Sequence, residues 1–272
     1  MQEIRVSSWM ELLEALYAGA WREGIERFRS PCAFRGMGDA SHDLSTTLGR
    51  LGARGPALES HILRNFRKYA RRSAVPGDSI WNWLAVAQHH GLPTRLLDWT
   101  YSPLVALHFA TERLEQFDVD GVVWGVDYTR TNQALPDALR DIQREEGSDT
   151  FTAEMLERAA PTLRHLDRLA PSPFLLFFEP PSLDERIVNQ FALFSLLSSA
   201  TMSLDQWLDG RPDVVRRIVV PSSLKWEVRD KLDQANVTER VLFPGLDGLS
   251  RWLTRYYTPR GEMPPGKTPR AE

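Results

Sequence analysis

The sequence predicts an α+β fold: a mixed, largely antiparallel central sheet, with a split sheet as one form open to it, flanked by helices. Three observations carry this. Short apolar runs of strand length (CAFRGMGD, GVVWGVDY, FLLFFEPP, RRIVVP) stand between longer stretches with apolar residues at helical spacing. The two kinds of element do not alternate strictly, so a doubly wound parallel sheet is the poorer fit. The 272 residues are 42% hydrophobic and 25% charged, which suits an ordinary globular core, and neither an interdomain linker nor an internal repeat is visible.

Taken in order, residues 6–29 read as a helical opening, with Trp9, Leu12, Leu13, Leu16 and Tyr17 recurring along one face. CAFRGMGD follows as a short strand ending in two glycines. Residues 56–72 form a helix with Ile62, Leu63, Phe66 and Tyr69 on one side, and residues 79–90 form a second, rich in Trp and Ala. Gly91 and Pro93 stop it, and Arg95 to Trp99 make a short buried strand. Ser102 then caps a helix that begins at Pro103, where a missing N–H costs nothing. GVVWGVDY (121–128) is a strand. Residues 129–172 are polar and mostly helical, and read as an insertion or lid whose charges are solvated. A strand at 174–181, a helical turn leading into a strand over 185–199, a capping box at Ser203–Gln206, a strand at 216–221 and helices at 223–235 and 248–257 complete a single domain over 1–257. The Pro- and Gly-rich tail, 258–272, is expected to be disordered.

Composition narrows the function. A net charge of −3 gives no support to nucleic-acid binding, although it leaves room for a local basic groove. One cysteine, Cys32, allows no intrachain disulfide, and it reads as a small buried residue. No CxxC pair or other ligand spacing supports a metal site. The N-terminus lacks the apolar stretch of a signal peptide, and no run is long enough to span a bilayer, so a cytoplasmic protein with no membrane partner is expected. G-x-S-x-G, P-loop and G-x-G-x-x-G motifs are absent.

The informative residues fall in two places. Arg35 lies on a strand beside Gly36 and Gly38, opposite in face to Cys32 and Phe34. A guanidinium held there suits an anionic ligand such as a pyrophosphate, or an ion pair that ties the sheet to a helix. The run Gln88–Thr111 is the second. Asp98, between Leu97 and Trp99, reads as a buried carboxylate that needs a partner, either Arg35 or a local turn or cap. His89 and His90 suit acid–base groups, ligands or satisfied core histidines, and Thr94, Arg95 and Thr100 punctuate the strand.

Phe34-Arg35-Gly36, the run QHHGLPTRLLDWTYSPLVALHFA (88–110), Glu185-Arg186-Ile187 with Gln190, and Leu242-Phe243-Pro244-Gly245-Leu246 together resemble the FRG-domain family, over about residues 30–250. That resemblance implies a bacterial protein of a toxin or phage-defence setting, and its layout is similar to that of ADP-ribosyltransferase folds. The implied ligand is NAD, as substrate, with no metal, and a protein target or partner would accompany it. On this likeness Arg35 clamps the nucleotide, Thr100 with the Ser102–Ala110 helix forms the second element, and Gln190 takes the place of the acid that orients the ribose. Gln190 is neutral, so Asp98 or Glu185 would have to offset positive charge. Phe34, Gly36, His89, His90, Thr94, Arg95, Trp99, Thr100 and Ser102 would surround the nucleotide. The implied activity is ADP-ribosyl transfer or NAD glycohydrolysis; the alternative is a non-catalytic nucleotide- or partner-binding sensor.

Overall fold

A computed structural model of the chain describes residues 2–70, 77, 79–182 and 184–260. Its strands are β1 (Gln2–Arg5), β2 (Trp21–Arg22), β3 (Arg27–Phe28), β4 (Cys32–Met37), β5 (Leu96–Thr100), β6 (Gly121–Asp127), β7 (Leu175–Phe178), β8 (Ala192–Leu197) and β9 (Val215–Val220). β2 and β3 pair only with each other. The other seven form one sheet in the order β1-β9-β6-β4-β5-β8-β7. Only β1 runs parallel to its neighbour; every other pairing is antiparallel. The fold is therefore α+β with a mixed, mostly antiparallel sheet, as the irregular alternation of elements predicts.

Helices cover both faces. They are α1 (Trp9–Tyr17), α2 (Gly55–Ala70), α3 (Ile80–His89), α4 (Pro103–Ala110), α5 (Tyr128–Thr131), α6 (Asp137–Glu146), α7 (Ala153–Ala159), α8 (Leu163–Leu166), α9 (Glu185–Asn189), α10 (Leu204–Leu208), α11 (Lys225–Gln234), α12 (Glu239–Leu242) and α13 (Leu246–Tyr256). Ser102 accepts from the Val105 N–H at the head of α4, with Pro103 in its first turn, as expected. The Ser203–Gln206 capping box is also formed.

Strand alternation explains the cores. Ala33, Leu97, Trp99, Trp124, Phe177 and Leu193 face one continuous apolar layer. The opposite face carries two layers. Phe34, Val123 and Ile218 pack there with α1, α4 and α11, whereas Leu96, Phe178 and Phe194 pack with α2, α3, α6 and α7. The layers part between β4 and β5. There the strands pair at a single position, Phe34 opposite Thr100, and then separate. The sheet is split at this point.

Some expectations need correction. The helical opening read over 6–29 is a helix only over Trp9–Tyr17, preceded by an edge strand at 2–5, and it stops there because Gly19 turns the chain in a left-handed conformation (φ 69°). Tyr69, expected on the packing side of α2, is 75% exposed. The segment 129–172 contributes Leu139, Phe151, Met155, Leu156 and Leu166 to the core. The tail beyond residue 260 lies outside the described residues. Cys32 is buried, as expected, and burial pushes its thiol pKa up.

Candidate functional site

A cleft of about 250 Å³ opens where β4 and β5 part. Arg35, Asp98 and Gln190, singled out from three separate segments, all line it. So do Phe34, Gly36, His89, Trp99 and Thr100.

The split explains the position of Arg35. Phe34 opposite Thr100 sets a register that would put Gly36 opposite Asp98, but the ladder ends first. A strand carbonyl without its ladder partner must find another donor. The guanidinium of Arg35 supplies one, donating from Nη1 to the Asp98 carbonyl oxygen at 2.6 Å. Its Nε is buried and has no hydrogen-bond partner. Burial lowers the Arg35 pKa and the nearby Asp98 charge opposes that shift, and an arginine remains cationic through both. Arg35 thus meets the backbone of residue 98, not its carboxylate, and Asp98 is exposed to the cleft although its neighbours are buried. Both points correct the expectation of a buried Arg35–Asp98 ion pair.

The Asp98 carboxylate is held by Gln88 instead. The Gln88 amide nitrogen donates to both oxygens, at 3.1 and 3.0 Å. Its carbonyl oxygen accepts from the Thr94 hydroxyl, which fixes the amide orientation. Gln88 opens the run that sequence reasoning singled out, but it was given no role of its own there. Its signal was spacing, since the last turn of α3 returns over the strand that carries Asp98. Phe109, Arg186, Ile187, Ala192 and Phe194 complete the lining. At one wall His89 Nε2 lies 2.7 Å from an Asp184 carboxylate oxygen, and the other oxygen of Asp184 caps α9.

Gln190 follows α9. Its amide nitrogen donates to the Leu242 carbonyl at 2.9 Å, so the amide oxygen is the end left for a ligand. Its own backbone carbonyl accepts from the Thr100 hydroxyl at 2.7 Å, which ties β5 to the entry of β8.

Four expected contacts lie elsewhere. Arg95 points away from the cleft into a buried ion-pair cluster with Glu59 and Asp167, which joins α2, β5 and the end of α8. Arg95 stands just ahead of β5, outside the strand that presents Asp98 to the cleft. His90 is exposed past the end of α3, Thr94 acts through Gln88, and Ser102 is occupied as a helix cap. Gly36 lines the cleft, but its lack of a side chain serves packing. A Cβ there would lie 1.7 Å from the Ala106 carbonyl oxygen of α4. Glu185, offered as an alternative acid, is exposed and does not line the cleft.

The fold and site define a split-sheet α+β protein with a polar cleft at the split. Residues 30–119, about a third of the chain, match the family model of the FRG domain. The match contains Arg35, Gln88, His89, Asp98 and Thr100, and stops before Gln190. No curated protein and no solved structure matches the chain. No helix among the described residues is long and apolar enough to cross a membrane.

Proposed function

We propose that the cleft binds NAD or a closely related nucleotide and breaks the bond between nicotinamide and ribose, with transfer of ADP-ribose to a protein target or to water. The observation that carries this is the pairing of a buried, unpartnered Arg35 Nε with an Asp98 carboxylate fixed by Gln88 in one small cleft. The guanidinium suits the diphosphate. When the ribose–nitrogen bond breaks, its electron pair leaves with nicotinamide and positive charge remains on the ribose. The Asp98 carboxylate is the group able to offset that charge, and the Gln190 amide oxygen can accept from a ribose hydroxyl. The nucleophile then bonds to the anomeric carbon and gives up its proton to solvent or to His89. The cleft, at about 250 Å³, lies below the roughly 300–1,000 Å³ of common ligand sites, so a dinucleotide would extend beyond it.

The test is nicotinamide release from NAD by purified protein. Wild type should release it, Asp98→Asn should lower kcat by about 100-fold or more, and Arg35→Ala should raise KM. One observation favours a sensor instead: the third position is a neutral Gln190 already tied to Leu242. NAD binding by calorimetry without any nicotinamide release would decide for that second role, and absence of both would sink each.

A further inference from the structure

A second concavity, about 710 Å³, lies between α2 and the loop that leads into α8. Leu63, Ile80 and Leu163 give it an apolar floor. Arg64 and Lys68 stand on one wall and Arg164 on the other, all exposed. Several surface arginines elsewhere are matched to carboxylates, among them Arg140 with Asp137, Arg144 with Asp141, and Arg158 with Glu145 and Glu146. Among the described residues, Arg64, Lys68 and Arg164 have no such partner. Arg67, also in the groove, is placed over the Trp83 ring. Among the described residues that line the groove Glu157 is the one carboxylate, and it accepts from the Ser79 hydroxyl.

We infer that this groove binds single-stranded nucleic acid. Arg64 and Lys68 are four residues apart, about 6 Å of helix rise, so they can meet successive phosphates along one strand. Tyr69, 75% exposed, lies beside them with Lys68 Nζ 5.1 Å from its ring, and offers a base a stacking surface. An acidic peptide would satisfy the cations but leave this ring and the apolar floor without a use. The chain's net charge of −3 describes the whole surface, and here the local balance is positive. The groove is separate from the cleft: α3 carries Ile80 at its first turn and Gln88 with His89 at its last.

The test is fluorescence anisotropy of a labelled single-stranded oligonucleotide, with a duplex and a polyglutamate peptide as parallel probes. The single strand should bind best. With three phosphate contacts its affinity should fall roughly thirtyfold between about 50 and 250 mM salt. The exposed triple variant Arg64→Glu, Lys68→Glu, Arg164→Glu should lose at least tenfold at low salt, while Arg64→Lys with Arg164→Lys keeps most of the binding. Circular dichroism checks that both variants are folded. No binding by the wild type, equal binding by the charge-reversed protein, or preference for the duplex or for polyglutamate would each overturn the inference.

Discussion

Replacing Gly36 by alanine separates two explanations of a glycine in a ligand cleft. If the glycine is there to let a ligand approach, the variant folds normally and binds poorly. The structure favours the other explanation. A Cβ at Gly36 would sit 1.7 Å from the Ala106 oxygen, and 2.7 Å from both the Ala106 carbonyl carbon and the Ala110 nitrogen. All three are backbone atoms of α4, so no side-chain rotation relieves the clash. The helix must withdraw from β4, opening the packing of Phe34, Ala106 and Ala110 in one core. Overpacking ordinarily costs about 1–3 kcal/mol, and a backbone collision belongs at or above the top of that range. For a chain of this size, about 3 kcal/mol lowers Tm by roughly 5 °C. Gly38→Ala is the internal control: its Cβ meets the Gln116 side-chain oxygen at 2.1 Å, the movable end of a flexible chain. Its cost should stay below about 1 kcal/mol. Calorimetric melting of both variants is the assay. A Gly36→Ala protein that melts within about 2 °C of wild type would refute the packing explanation.

Further outcomes follow from the buried charges and from Arg35. Glu59→Ala leaves the 6%-exposed Arg95 with the Asp167 carboxylate and a long bond to the Ser198 carbonyl, and should cost about 3 kcal/mol, read from urea denaturation; a loss under about 1 kcal/mol would show that the pair acts as a surface bridge. Burial alone would raise the Glu239 pKa, but the hydrogen bonds of Arg255 and the charges of Arg229 and Arg255 outweigh it and hold it at about 2. Its stabilisation is therefore complete above its ordinary value of 4.5 and is lost as pH falls from there toward about 2. This loss, on the order of 3 kcal/mol, should disappear from the pH dependence of Glu239→Gln. Arg35→Lys should melt within a few degrees of wild type, because a lysine can still reach the Asp98 carbonyl, yet bind nucleotide at least tenfold more weakly; unchanged affinity would remove Arg35 from the ligand site.

Much of the fold was legible in the sequence because its elements end on residues with local causes. Ser102 and Pro103 fix the start of α4, and Gly91 fixes the end of α3. β1 was not, because four residues at a sheet edge owe their conformation to pairing with β9, a partner more than 200 residues away. The site was legible as a set of positions and less so as contacts. Motif spacing brought out Arg35 and Asp98, and their meeting in one cleft follows from the sheet order that makes β4 and β5 neighbours. Spacing could not say that Asp98 would present its backbone to Arg35 and its carboxylate to Gln88. Nor could it say that Arg95, in the same run, would turn away from the cleft into an ion-pair cluster with Glu59 and Asp167.

The cleft and the packing of α4 have one origin. Because Gly36 lacks a side chain, α4 comes close enough for its backbone to occupy the space beside β4. Beyond Phe34 and Thr100 the two strands separate, and the separation leaves the Asp98 carbonyl in need of a donor. Arg35 fills that need with one of its nitrogens, which anchors a long cation that would otherwise sample many rotamers. An arginine can do this and still present another N–H to a ligand, since its donors are arranged in a rigid fork; a lysine would have to divide a single ammonium between the two tasks. Phe-Arg-Gly is therefore a unit in which each residue supports the next. Phe34 pairs across to β5 at the last point of contact, Gly36 admits the helix as the strands diverge, and Arg35 spans the gap with its Nε still unpaired.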